Sequence, residues 1–255
     1  MKKIWVIAKN TSKEIFRDRI LYGLLIFAAF LVLFSLLLGE LSFVEQARIV
    51  TNMGLVAAQF GCGMLAIFVG SSLVWREIEK QTVLTLLSKP VTRSQFLMGK
   101  FLGLCIVILV TDLLISIFLG FVCHFFGSVY WNQFIICEAA TFLESLFLLS
   151  LAMFFGVFCR PVLTTLFTMS IWFVGHGVND LHYFSEKSKH EVLKNVGLFL
   201  SRVLPNLDFF SFKESVIYGD VIAAGDIRRA LILWISWSLI LFIGTSFIFE
   251  KRDFI

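Results

Sequence analysis

The chain has 255 residues, of which 58% are hydrophobic and only 16% are charged, against roughly a quarter charged in ordinary soluble domains. A single soluble core of this size cannot bury so much apolar surface, and disordered chains are poor in aliphatic and aromatic residues, so both classes are excluded. The composition predicts a protein whose main solvent is lipid.

Six segments are apolar over a length that can cross a bilayer, which takes about 20 helical residues. In chain order they lie at 20–39, 49–75, 101–122, 135–159, 161–179 and 230–249. Strands of a membrane barrel alternate in polarity over about ten residues, whereas these segments are longer and apolar on all sides. The sequence predicts an all-α membrane protein with six transmembrane helices, in a single transmembrane domain over residues 1–255.

The distribution of Lys and Arg predicts that both termini lie in the cytoplasm. With the N-terminus inside, most of the 22 basic residues flank the inner ends of the spans, as the positive-inside rule requires. This bias accounts for the net charge of +4 without nucleic-acid binding. The five Cys show no CxxC spacing typical of metal sites, and we interpret them as small apolar residues.

The N-terminal segment 1–19 has the pattern of an amphipathic helix lying on the inner leaflet. Its apolar face is predicted to consist of Ile4, Trp5, Ala8, Ile15 and Phe16. The alternative is that these residues are only the basic flank of the first span.

Segment 76–100 is too charged to span a membrane and too patterned for a plain loop. Pro90 must end one helix, and Thr92 with Gln95 matches a capping box that begins the next. The pattern predicts a helix–turn–helix projecting into the cytoplasm, with apolar residues such as Leu84, Leu86 and Leu87 at its tip. Such a tip either docks on a soluble partner or folds back on the membrane, and spacing alone leaves both open.

The outer segment 180–229 carries short apolar repeats at helical spacing, interrupted at Pro205. About 50 residues is too long for a passive connection. We expect short amphipathic helices at the outer surface, partly re-entrant.

Four polar residues in the spans are candidates for function: Asp112, Glu144, Glu138 and His176. Charged groups at membrane depth are costly and usually functional, yet no Lys or Arg lies within the apolar segments. Asp112 and Glu144 either contact substrate or protons, or staple adjacent helices through groups such as the Thr111 hydroxyl. Glu138 is predicted to be interfacial, and His176 structural. Small residues in the second span, together with Gly99 and Gly103, indicate close helix packing.

The segment reading REIEKQT followed by LLSKPVTRSQFLMGK resembles the cytoplasmic loop of ABC transporter type-2 permeases, the membrane subunits of ATP-binding-cassette exporters. The stretch from Leu204 to Gly219 also resembles an outer-loop element of that family. The matching loop residues are Glu77, Glu79, Thr82, Leu86, Leu87, Ser88, Pro90, Val91, Arg93, Gly99 and Lys100.

The resemblance implies a permease subunit that forms an export pathway with a second permease chain, by default a homodimer. Two copies of an ATP-binding-cassette ATPase would dock on the loop between helices 2 and 3. The implied coupling residues are Glu77, Glu79, Thr82, Leu84, Leu86, Leu87, Ser88, Pro90 and Arg93. ATP and Mg²⁺ would sit on the partner, since the sequence has no GxxxxGK[ST] motif. The implied location is the bacterial cytoplasmic (inner) membrane, with lipid and an accessory periplasmic or extracellular protein as further partners.

Two other functions compete with this one. A proton-coupled secondary transporter would use Asp112 and Glu144, but it predicts repeated broken helices, and no internal repeat is evident. An intramembrane enzyme would need convergent catalytic groups or metal ligands, which the scattered acids and histidines do not provide.

Overall fold

The computed structural model describes residues 2–41, 45–79, 92–127, 129–187 and 190–251, and within these ranges it contains helices and no strands. The helices are α1 (Lys2–Ile15), α2 (Arg19–Glu40), α3 (Gln46–Glu79), α4 (Arg93–Phe126), α5 (Trp131–Gly156), α6 (Pro161–His176), α7 (Val178–Lys187), α8 (Glu191–Val203), a 3-10 helix (Leu207–Phe210), α9 (Lys213–Tyr218) and α10 (Ala224–Lys251). This confirms the all-helical class.

Five helices are long and apolar enough to cross a membrane, namely α2, α3, α4, α5 and α10. They coincide with five of the predicted segments, because the length of an apolar run is a local property of the chain. The helices α3 and α5 form the centre of the bundle, with 72% of their apolar windows buried, against 22% for α2 and 11% for α10. The outer helices therefore present most of their apolar surface to lipid.

The fifth predicted span, 161–179, is not one continuous helix in the structure. Helix α6 ends at His176 after 16 residues, about 24 Å of helix at 1.5 Å per residue, which is less than the hydrocarbon core of a bilayer. The chain then bends by 60° into α7, so the molecule has five continuous spans, or six if this bent pair counts as one.

The space beyond the end of α6 is filled by the outer segment. The 3-10 helix and α9 pack on α5, and α9 also contacts α3. Leu207, Phe210 and Val216 are fully or almost fully buried there. Gly175 permits the approach, since a Cβ at that position would lie 2.7 Å from the Leu207 side chain.

The small residues of α3 bring its neighbours close, as the sequence indicates. A Cβ at Gly61 would lie 2.5 Å from that of Ala28 in α2, and one at Gly63 would lie 2.6 Å from the Trp172 ring in α6. Each glycine thus removes a side chain from a helix crossing, which allows backbones to approach.

The N-terminal helix α1 packs along the first turns of α4. Gly99 and Gly103 provide the contact surface, since Cβ atoms there would meet Ile7 and Ala8 at 2.8 and 2.7 Å. The Ser12 hydroxyl donates to the Gly103 carbonyl at 3.0 Å. Within the predicted apolar face Ala8 and Ile15 are buried and Trp5 is 62% exposed, while the face packed on α4 also includes the small polar Ser12. Contact of α1 with the inner leaflet stays a prediction.

Helices α3 and α4 are both longer than a bilayer core requires. Each has 34 residues, about 50 Å of helix, or roughly 20 Å more in total than the hydrocarbon thickness. The Thr92 hydroxyl accepts a hydrogen bond from the Gln95 backbone N–H at 3.3 Å, which confirms the predicted N-cap of α4.

Candidate functional site

Glu144 lies at the centre of a buried hydrogen-bond cluster between α3, α5 and α6. It is 1% exposed. Its Oε1 accepts from Trp172 Nε1 at 2.6 Å and lies 2.8 Å from His176 Nε2. Its Oε2 accepts from Gln59 Nε2 at 2.5 Å. We call Glu144, Gln59, Trp172 and His176 the Glu144 cluster.

A second set of polar contacts joins this cluster to the outer segment. His176 Nδ1 lies 3.6 Å from Asp208 Oδ1, and Asn179 donates to Asp208 Oδ2 at 2.7 Å. Asn206 donates to Asn179 at 2.7 Å and accepts from the Asp208 backbone N–H at 3.1 Å. The 3-10 helix is therefore attached to the bent end of α6 through these amides and the contact of His176 Nδ1 with Asp208, while His176 Nε2 contacts Glu144 on α5.

A cation of the outer segment interacts electrostatically with Glu144, although the apolar segments themselves carry none. Burial lowers the pKa of the Lys213 ammonium group at the start of α9, and the opposing charges of Glu144 and Asp208 offset only part of that shift. This cation lies 69 residues from Glu144 in sequence rather than in a span.

Asp112 and Glu138 belong to a different site, an open groove between α4 and α5. Its volume is about 740 Å³. The residues lining its α4 side at every fourth position are Asp112, Ser116, Gly120 and His124, with Leu113, Ile117 and Phe121 beside them. The α5 side includes Trp131, Phe134, Ile135, Glu138 and Phe142. We call this the α4–α5 groove.

The two acids of this groove differ in their partners. Glu138 is 7% exposed and accepts from the Ser116 hydroxyl at 2.5 Å. Asp112 is 5% exposed and has the Cys62 thiol as a hydrogen-bond partner. Its Oδ1, however, is buried and has no hydrogen-bond partner in the described part of the chain.

The crossing of α4 and α5 covers Glu138, and its place near the membrane interface stays a prediction. One expected partner of these acids is not found. The Thr111 hydroxyl does not bond Asp112. It donates to the carbonyls of Val107 and Ile108, each at 3.0 Å, as hydroxyls in helices often do.

The sequence reasoning missed Gln59 and Trp172 as partners of Glu144, and Lys213 as a cation that interacts with it. A signal existed for Trp172, since it precedes His176 by four residues and so shares its helix face. No local pattern pointed to Lys213. Among the described residues, no group of three His, Cys, Asp or Glu side chains could hold a metal ion.

The predicted coupling residues are mostly outside these sites. Thr82, Leu84, Leu86, Leu87, Ser88 and Pro90 lie outside the described residues. Glu77 and Glu79 fall in the last turns of α3, and Arg93 is the first residue of α4.

The helical bundle with its long apolar spans defines a multi-pass membrane protein, and its two polar sites lack any convergent catalytic set among the described residues. A sequence model described as ABC-2 family transporter protein matches residues 5–254. The chain therefore belongs to the ABC-2 transporter family. It is the membrane component of a transporter rather than an enzyme, and the family implies an ATP-binding partner. A comparison with curated protein sequences finds no significant match.

Proposed function

We propose that the chain is the permease subunit of an ABC exporter, powered by two ATP-binding subunits that dock on segment 80–91. The observation that carries this proposal is the family match over residues 5–254. In the partnership we propose, this chain forms the translocation pathway with a second copy of itself, in the bacterial inner membrane. ATP and Mg²⁺ bind to the partner, and lipid and an accessory extracytoplasmic protein contact the permease.

The lengths of α3 and α4 support docking at this place. Both helices are about 20 Å longer than the bilayer core, and the apolar runs 49–75 and 101–122 end several residues before each helix reaches segment 80–91, so that segment starts and ends outside the hydrocarbon. A rigid pair of helices suits a lever, because a helix transmits displacement along its axis. Thr92 holds the start of α4 in a defined position through its cap.

The packing of α1 supports a route for that displacement. Gly99 and Gly103 seat α1 directly on the part of α4 that leaves the docking segment. Lys100 Nζ lies 3.6 Å from Glu14 Oε2 across the same interface. A movement of the segment would therefore move α1 and the third span together, and α1 lies on the inner leaflet where it can follow.

Association with the ATPase tests this proposal. The permease is co-expressed with its ATP-binding subunit, which we expect to find encoded in the neighbouring genes, and the Leu86→Asp, Leu87→Asp double variant is compared with the native chain. We expect ATPase recovery to fall by about tenfold or more, because charged side chains cannot enter an apolar contact at its centre.

Matched controls are Leu41→Asp and Val221→Asp. These two apolar residues are 78% and 90% exposed and lie on the side predicted to be extracytoplasmic, so ATPase recovery should not change. Undiminished recovery with the double variant would refute docking on segment 80–91. Labelling of Val221→Cys but not Lys9→Cys by an impermeant maleimide added outside intact cells would support the orientation.

A further inference from the structure

The α4–α5 groove combines an apolar lining with an unsatisfied buried acid. Its volume, about 740 Å³, lies in the range of small-molecule sites, roughly 300–1,000 Å³. Leu113, Ile117 and Phe121 along its rim are 51%, 69% and 61% exposed. Surface of this kind faces lipid in a membrane protein, so an occupant enters from the bilayer.

The unpartnered atom, Asp112 Oδ1, determines what kind of occupant fits. A buried carboxyl oxygen without a donor costs free energy whether the acid is charged or neutral. The other acid of the groove, Glu138, already accepts from Ser116 and adds negative potential when ionised. Among the described residues no Lys or Arg lines the groove, and His124 lies three turns along α4 from Asp112. The site therefore lacks a donor that carries positive charge.

A second copy of the chain does not supply such a donor. The apolar segments of all six predicted spans contain no Lys or Arg, so helices of another copy packed on this face would bring apolar side chains to Asp112. The acyl chain of a lipid likewise fills the apolar part but leaves Oδ1 without a partner. An ammonium group attached to an apolar body satisfies both parts of the groove.

We propose that the α4–α5 groove is a binding site for lipophilic ammonium cations. On binding, the Asp112 carboxyl group, which is 5% exposed, rotates so that Oδ1 accepts from the ammonium, and the apolar body lies between Ile117, Phe121 and Ile135. Glu138 contributes through its charge, and Ser116 keeps its carboxylate oriented. This inference does not rest on the proposed partnership with an ATPase.

Two fluorescent probes with the same aromatic body test this site: 1-pyrenemethylammonium, which is a cation at neutral pH, and neutral 1-pyrenemethanol. Binding to the purified full chain in nanodiscs of zwitterionic lipid is followed by energy transfer from tryptophan, since Trp131 lines the groove. Empty nanodiscs give the partition background. We expect saturable binding of the cation at an affinity about tenfold or more above that of the alcohol.

The Asp112→Asn variant should lose this preference, because an amide keeps the shape but not the charge. Affinity for the cation should fall about tenfold or more while affinity for the alcohol stays unchanged. Asp226→Asn is the matched control, since the side chain of that acid is 50% exposed and lies outside the groove. Gly120→Leu, which fills the groove, should weaken both probes and remains informative even if Asp112→Asn does not fold.

Several results would overturn the proposal. Equal affinity for the two probes would make the groove an acyl-chain site, and retention of the preference in Asp112→Asn would exclude the acid as the receptor. Absence of saturable binding would indicate that another chain covers this face. The Leu86→Asp, Leu87→Asp variant should bind the cation as the native chain does, so failure of ATPase docking and failure of this site are distinguishable.

Discussion

Glu144 and Asp112 are acids of the same kind, buried in neighbouring spans, but their surroundings differ. Both Glu144 oxygens contact hydrogen-bonding groups, contributed by three side chains on two other helices. One oxygen of Asp112 has no partner in the described part of the molecule. The depth of an acidic residue in a membrane therefore does not by itself determine whether the residue is structural or binds a ligand. A satisfied acid holds helices together, whereas an unsatisfied one has bonding capacity left for a ligand.

The largest loss of stability is expected for Glu144→Leu. The change leaves the donors of Gln59 and Trp172 buried without their acceptor, and it removes the charge that faces His176. We expect a loss of about 3–5 kcal/mol in the free energy of unfolding, measured by SDS titration in mixed micelles. Glu144→Gln, which keeps one acceptor oxygen, should lose less, about 1–3 kcal/mol. A Glu144→Leu variant as stable as the native chain would show that the cluster does not hold the fold.

The next largest loss of stability is expected for Gly63→Ala, which tests whether Gly63 makes the space that lets the Trp172 ring bind Glu144. In Gly63→Ala the new Cβ would lie 2.6 Å from the Trp172 ring, which must shift away from Glu144. We expect a loss of about 1–3 kcal/mol in the same titration. Gly23→Ala is the matched control, because nothing lies within 4 Å of its Cβ, and it should be neutral or stabilising by up to about 1 kcal/mol.

A smaller effect is expected at the outer end of the network. Asp208→Ala removes the acceptor of Asn179 and the acid facing His176 Nδ1, and we expect a loss of about 1–2 kcal/mol. Asp226→Ala, which breaks only an exposed 3.5 Å contact with Arg229, should change stability by less than about 1 kcal/mol. Equal losses from the two variants would mean that the 3-10 helix is not attached through Asp208.

The smallest change in stability is expected for Asp112→Asn, the change at the second of the two acids compared above. An amide can keep the contact with Cys62, and the oxygen it replaces has little bonding to lose. We expect a change of less than about 1 kcal/mol in either direction. A loss as large as that of Glu144→Leu would remove the distinction between the two acids and show that Asp112 is part of the structural network.

Much of the fold could be predicted from local sequence. The five continuous spans follow from apolar runs, and the cap of α4 follows from Thr92 and Gln95, two residues that lie three positions apart and interact within one turn. Close packing at Gly99 and Gly103 was also predictable, because small residues expose backbone. The helix that packs on these two glycines was not predictable, since nothing in the sequences of α1 and α4 indicates that α1, rather than one of the spans, lies on them.

The polar residues of the two candidate sites could be identified from the sequence, but which of them share a site could not. The sequence identifies Asp112, Glu138, Glu144 and His176 as polar groups in apolar surroundings. It pairs Asp112 with Glu144 as one proton-coupling set, whereas the structure separates them: Asp112 and Glu138 line the groove, and Glu144 joins His176. Which acids share a site depends on helix rotation and crossing, and these are set by side chains far apart in the chain.

The sequence alone therefore determined the helical class, the apolar spans and the family resemblance, because each depends on runs or motifs read over tens of residues. Only the tertiary structure decided that α6 stops short and bends, that Lys213 interacts electrostatically with Glu144, and that one oxygen of Asp112 is left without a donor. The physical reason is that hydrogen-bond satisfaction is a property of packed neighbours. Burying a carboxyl group in any apolar span raises the free energy of the folded state. Only the neighbours that folding brings together determine whether hydrogen bonds within the chain offset that increase.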